Sequence, residues 1–210
     1  MRRPYTVEQV EAAGGYDLIY ADPALGYRNT ARGSADKHYA TMTFAEAKSL
    51  PVARLAARDG LLLMWTTWPY LVEKHQAHDL MTAWGFEPVT VAFVWAKTTA
   101  TGKEHVGLGW WTRSNTEVCL LGVRGCARRE DSREGRSVRQ LLLDEQPLGG
   151  GPETLVHPVG RHSQKPAEFR RRAAALVGPG RSMLEMFARE RTPGWDLHGD
   201  EAPGGADVAF

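Results

Sequence analysis

Cysteine is scarce in this chain of 210 residues. Cys119 and Cys126 are the whole supply. Two are too few for a disulfide framework, and neither has other metal ligands beside it. Such usage fits a reducing cytoplasm. Net charge is nearly absent too, at +1. The molecule as a whole is no polyanion magnet, so contact with nucleic acid must come from local patches. No apolar run approaches the roughly 20 residues that a membrane helix needs, so no membrane partner is expected. The opening MRRPYTVEQV has no apolar h-region, so export is not expected. His38, His157 and His162 show no metal-ligand spacing, which speaks against a metal site. No internal repeat is found.

What is present is ordinary for a globular protein, with 42% hydrophobic and 24% charged residues. The length suits one core, with residues 1–201 as a single domain and the Gly- and Ala-rich 202–210 as a flexible tail. Seven Trp is a high count; such rings fill a core or offer stacking surfaces.

Apolar, β-branched or aromatic runs at 16–21, 61–67, 89–96, 116–123, 154–159 and 182–187 predict strands. Between them, 44–57 reads as a helix broken at Pro51, and 70–84 as a helix that ends at Gly85. Residues 166–177 read as a helix with Pro166 in its first turn and a stop at Gly178. Strands alternating with helices imply an α/β fold, a mostly parallel sheet covered on both faces. Two stretches read as loops, 26–43 and 124–153. The second carries six Arg between Arg124 and Arg139, against Glu130, Asp131 and Glu134. It is either a solvated loop or an arm that contacts phosphates.

The run YDLIYADPALGY, residues 16–27, ends abruptly in Asp22-Pro23. Ligands of open α/β sheets bind outside the carboxyl ends of strands, which is where Asp22 falls. Pro23 stops the strand and stiffens the turn. The dipeptide either simply opens a turn or sets two acceptors, the Asp22 carboxylate and the Pro23 carbonyl, side by side. Such a pair suits a group with two N–H donors, such as the exocyclic amine of a nucleobase.

Further pieces follow in order: HYATMTFAEAKSLPV, GWWTRSNTEVCLLGVRG, HSQKP and LEMFARERTPGWDLHGDE. With YDLIYADP they resemble the MT-A70 family of S-adenosylmethionine-dependent adenine methyltransferases, over nearly the whole chain. The resemblance implies a Rossmann-like methyltransferase sheet with the catalytic motif before the cofactor motif. It implies S-adenosylmethionine as cofactor and adenine of DNA or RNA as substrate, flipped out or single-stranded. By the same resemblance Asp22 and Pro23 hold the target amine, which is orientation catalysis. Lys165, Glu185, Phe187, Arg189, Asp200 and Glu201 would line the cofactor pocket; Lys165 and Arg189 can engage a carboxylate, and acceptors suit ribose hydroxyls. A homodimer, or a heterodimer with a paralogue, is the partner expectation.

The chain departs from the family at two places. Where the family has Asp-Pro-Pro and an aromatic, this chain has Asp22-Pro23-Ala24-Leu25. Leu25 offers apolar contact without a π face, and base–aromatic stacking is worth roughly 1–3 kcal/mol. Asp200 stands where the family usually has Asn; it cannot donate when ionised. Three readings stay open. Another ring, Tyr27, Tyr39 or Trp110, stacks the base in an active enzyme. The chain is a weakened member that binds cofactor or nucleic acid as a non-catalytic partner. Or the pocket takes a different amine substrate. Tyr39 and Trp110 also read as local packing. Asn115 and Glu117 read as residues that orient the loop rather than as catalysts, and Lys97 as a strand-end lysine near the cleft or snorkelling past it.

Overall fold

The structure, a computed structural model, describes residues 4–26, 41–72, 75–99, 103–105, 107, 111–143, 165–199 and 201–210. Tyr27, Tyr39, Trp110 and Asp200 lie outside these residues, as does the strand expected at 154–159. The elements in chain order are β1 (Tyr5–Thr6), α1 (Val7–Ala12), β2 (Tyr16–Ala21), α2 (Phe44–Ser49), α3 (Val52–Leu55), β3 (Ala56–Thr66), α4 (Trp68–Val72) and α5 (Gln76–Ala83). Then follow β4 (Glu87–Ala96), β5 (Thr116–Val123), α6 (Arg133–Arg136), β6 (Leu141–Leu143), α7 (Ala167–Val177), β7 (Met183–Met186), β8 (Asp196–His198) and β9 (Val208–Ala209).

Seven strands form one sheet in the order β6-β4-β5-β3-β2-β7-β8. Every neighbouring pair is parallel except those made by β5, which runs antiparallel to both β3 and β4. The central strands are apolar on both sides because both faces are covered. On one face Ile19, Ala21, Leu62 and Met64 pack with α1, α2, α3 and α5. On the other, Leu18, Tyr20, Leu63 and Trp65 pack with Phe169, Ala173 and Val177 of α7. The fold is the α/β sheet expected of a Rossmann-like methyltransferase.

Several expectations change in detail. The helix expected over 70–84 is divided into α4 and α5, with His75 between them in the left-handed region at φ 53. The stop at Gly85 is as read. Its φ of +81 lets Gly85 N–H reach Thr82 O and Phe86 N–H reach Met81 O, closing the last turn. The expected loop 124–153 contains α6 and β6. It starts at the edge opposite Asp22 and returns through β6, parallel to β4, toward the carboxyl edge. Arg124 and Gly60 exchange backbone hydrogen bonds at the amino end of β3, because β5 runs backwards through the sheet. Residues 202–210 were expected as a flexible tail, but Val208 and Ala209 pair with Tyr5 and Thr6, and the Val208 side chain is fully buried. A strand of two residues carries too little period to be read from sequence.

Candidate active site

β2 and β7 lie side by side and parallel, with Tyr20 level with Glu185 and Ala21 level with Met186. From β2 the chain steps outward to β3, and from β7 outward to β8 in the opposite direction. Such a reversal opens a crevice at the carboxyl ends of the two strands. The crevice is open, about 310 Å³ with the solvent at its mouth counted, and five of the residues singled out from sequence line it: Asp22, Lys165, Glu185, Phe187 and Arg189. Tyr20, Arg170 and Glu190 complete it.

Asp22 follows the last residue of β2. Its Oδ2 lies 2.6 Å from Lys165 Nζ, which lies 3.1 Å from Glu117 Oε2. Glu117 Oε1 in turn sits 2.5 Å from Lys97 Nζ. Four charges of alternating sign thus cross the carboxyl edge. Glu117 can join them because antiparallel β5 brings its first residues to the edge where its neighbours end. The Lys165 ammonium also lies 5.4 Å from the ring centre of Trp65 and 6.0 Å from that of Trp95. Burial alone would lower the Lys165 pKa, but the charges of Asp22 and Glu117 overcome it and hold it well above the ordinary lysine value. Burial would likewise raise the Glu117 carboxyl, yet Lys165 and Lys97 bring it below its ordinary value.

The resemblance assigned Lys165 to the cofactor pocket; in the structure it lines the crevice and its ammonium also pairs with Asp22. Glu117 and Lys97 were read only as an orienting residue and a strand-end lysine. Their one sequence signal was position at a strand terminus.

The other wall is built from β7. Glu185 is buried and takes two hydrogen bonds from Arg170, Nε to Oε2 at 2.7 Å and Nη2 to Oε1 at 2.6 Å. The same guanidinium pairs with Glu190 and lies 5.8 Å from the Tyr20 ring centre. Desolvation raises the Glu185 carboxyl above its ordinary value, with Arg170 working the other way. Phe187, directly after β7, has φ +62, a costly conformation for a residue with a side chain and one that gathers at functional turns. The chain after β8 passes against this turn. A Cβ on Gly199 would come within 2.8 Å of Ala188 N and 3.1 Å of Phe187 Cα. Arg189 pairs with Glu201 at 3.6 Å, so those two cofactor candidates also meet.

Pro23 O accepts the Leu25 N–H at 2.9 Å and keeps a second lone pair for another donor. Leu25 is half-buried against the core beside α2 and bridges to Met42, and Gly26 N–H donates to Met42 O. Tyr70 Oη donates to Gly26 O at 2.9 Å. The ends of the loop after Asp-Pro are therefore pinned to each other and to α4.

The family model MT-A70 matches residues 16–201. The type II methyltransferase M.MunI of a Mycoplasma species is 32% identical over 207 residues, covering 90% of this chain and 78% of the relative. The N6-methyladenosine RNA methyltransferase MTA1 of Cryphonectria parasitica is 30% identical over 196 residues, 89% of this chain and 51% of the relative. The N(6)-adenine-specific methyltransferase METTL4 of Mus musculus is 27% identical over 191 residues, 89% of this chain and 37% of the relative. The chain thus spans about half or less of the two longer relatives.

Proposed function

The chain belongs to the MT-A70 family, and on that premise we propose that it methylates the 6-amino group of adenine in DNA or RNA with S-adenosylmethionine as donor. One observation carries the reading. Asp22, at the tip of β2, opens into the same crevice as Phe187, Arg189 and Glu190 beyond β7. An acceptor for an amine and a pocket for a charged small molecule therefore adjoin. The relatives named for adenine methylation support the substrate.

The crevice suits the donor chemically. The lining acids Glu185 and Glu190, with Glu201 held against Arg189 at 3.6 Å, meet the demand of an ammonium and of ribose hydroxyls, and Arg189 suits a carboxylate. When bound, S-adenosylmethionine supplies an electrophilic methyl group. The chain's own residues do the orienting. Adenine's amine is a weak nucleophile because its lone pair is delocalised into the ring. Asp22 and the Pro23 carbonyl accept its two N–H groups and turn the lone pair out of the ring plane toward the crevice. Lys165 holds the Asp22 carboxylate from the other side. The base reaches this edge only when unstacked.

Target choice rests on the segments 26–43 and 124–153 or on a partner, a second copy or a paralogue. A reducing compartment such as the cytoplasm suits the buried free thiol of Cys119.

The test is methyl incorporation from labelled S-adenosylmethionine into single- and double-stranded DNA and RNA, followed by nucleoside mass spectrometry. N6-methyladenine that disappears in Asp22→Ala is the expected result. No product on any polymer, or product indifferent to Asp22→Ala, overturns the proposal.

A further inference from the structure

Leu25 occupies the position where the family resemblance calls for an aromatic ring, and it is half-buried against the core. The geometry points to Trp68 as the ring that stacks the target base in its stead. This rests on the adenine-methyltransferase reading above and names the substrate contact which that reading lacks.

Trp68 opens α4, two residues past the carboxyl end of β3. β3 is the immediate neighbour of β2, with Met64 level with Ala21. The ring therefore rises from the edge that carries Asp22, one strand away. It is 41% exposed, unusual for so large an apolar group. It is also held: Nε1 donates to Thr116 Oγ1 at 2.9 Å. Thr116 begins β5 and precedes Glu117, whose carboxylate shares Lys165 with Asp22. Two residues further along α4, Tyr70 bonds the Gly26 carbonyl in the Asp-Pro loop. One short helix thus ties the ring both to the strand behind the charged chain and to the loop beside the catalytic acceptors.

A wide, exposed and orientationally fixed indole at the same sheet edge as an amine-binding site is what base stacking requires, since ordering a loose ring would cost affinity. Trp111 shows the contrast: it is fully exposed, which leaves nothing packed over it.

The experiment compares the unmodified protein with Trp68→Leu, Trp68→Phe and Thr116→Val. Methyl transfer is followed on a single-stranded oligonucleotide with one adenine, and binding on the same strand with 2-aminopurine at that position. Stacking quenches 2-aminopurine. Trp68→Leu is expected to lower kcat/KM by about 5- to 150-fold and to abolish the quench. Trp68→Phe keeps most of both, and Thr116→Val falls between. S-adenosylhomocysteine affinity and the unfolding midpoint stay as in the unmodified protein for all three.

Quench and kcat/KM unchanged in Trp68→Leu overturn the proposal while leaving the methyltransferase reading intact. An equal loss in Trp68→Phe and Trp68→Leu, or a fall in S-adenosylhomocysteine affinity, also overturns it. If the unmodified protein binds the strand with a quench that needs Trp68 but transfers no methyl group, the stacking role stands and the activity falls.

Discussion

Lys165 places its ammonium 2.6 Å from the Asp22 carboxylate, and it is one of the few charged side chains buried among the described residues. A cation so sited does two things. It fixes which way Asp22 faces, and it separates Asp22 from Glu117 on its other side.

Lys165→Met leaves two acids facing a neutral thioether. Breaking a buried pair by removing one partner costs about 3–5 kcal/mol. The variant is expected to lose about 3 kcal/mol in denaturant unfolding at neutral pH. Methyl transfer is expected to fall by about 100-fold or more, since small misplacements of an orienting group cost that much. Unchanged turnover would show that Asp22 needs no positioning partner.

Glu117 gives a pH test with a definite sign. Its folded pKa lies below the ordinary value of 4.5. The stability it contributes is therefore present above the unfolded value and lost as the pH falls through the lower folded one. Glu117→Gln is expected to be less stable at neutral pH and to show a flatter acid limb. Urea midpoints between about pH 3 and 7 measure both. Parallel curves for the two proteins would rule out the linkage.

Arg170 and Glu185 form a bidentate pair in which both partners are buried. Arg170→Met should cost about 3–5 kcal/mol because it strands the buried Glu185, and Glu185→Leu should cost less because Glu190 still pairs with the guanidinium. The double variant should be more stable than the sum of the two losses implies, by at least about 1 kcal/mol. Simple additivity in the unfolding free energies would refute a direct pair.

Gly199 carries the close approach between the turns after β7 and β8. A methyl group there meets Ala188 N and Phe187 Cα on a backbone at φ +152. Gly199→Ala is expected to cost about 1–3 kcal/mol and to weaken S-adenosylhomocysteine by about tenfold or more. Calorimetry reads the affinity; no change would mean that this turn does not shape the cofactor wall.

The sequence by itself determined the strand YDLIYA and its end at Asp22-Pro23, because a doubly buried strand is apolar along its length and a proline stops it. It determined β5 at 116–123 and α7 up to Gly178 in the same local way. It also marked Asp22, Lys165, Glu185, Phe187 and Arg189 through motif order, and the structure gathers all five around one crevice. Periodicity reports whether a side chain is buried, but it does not report against what. The partners of Lys165, the reach of Glu117 and the place of Trp68 follow from strand order and from the backward run of β5, which join residues far apart in the chain. In sequence Arg170 is one of three arginines in a row, and only packing turns that face of α7 onto Glu185. Only the tertiary structure decided these, because register and sheet order are long-range properties that no local window contains.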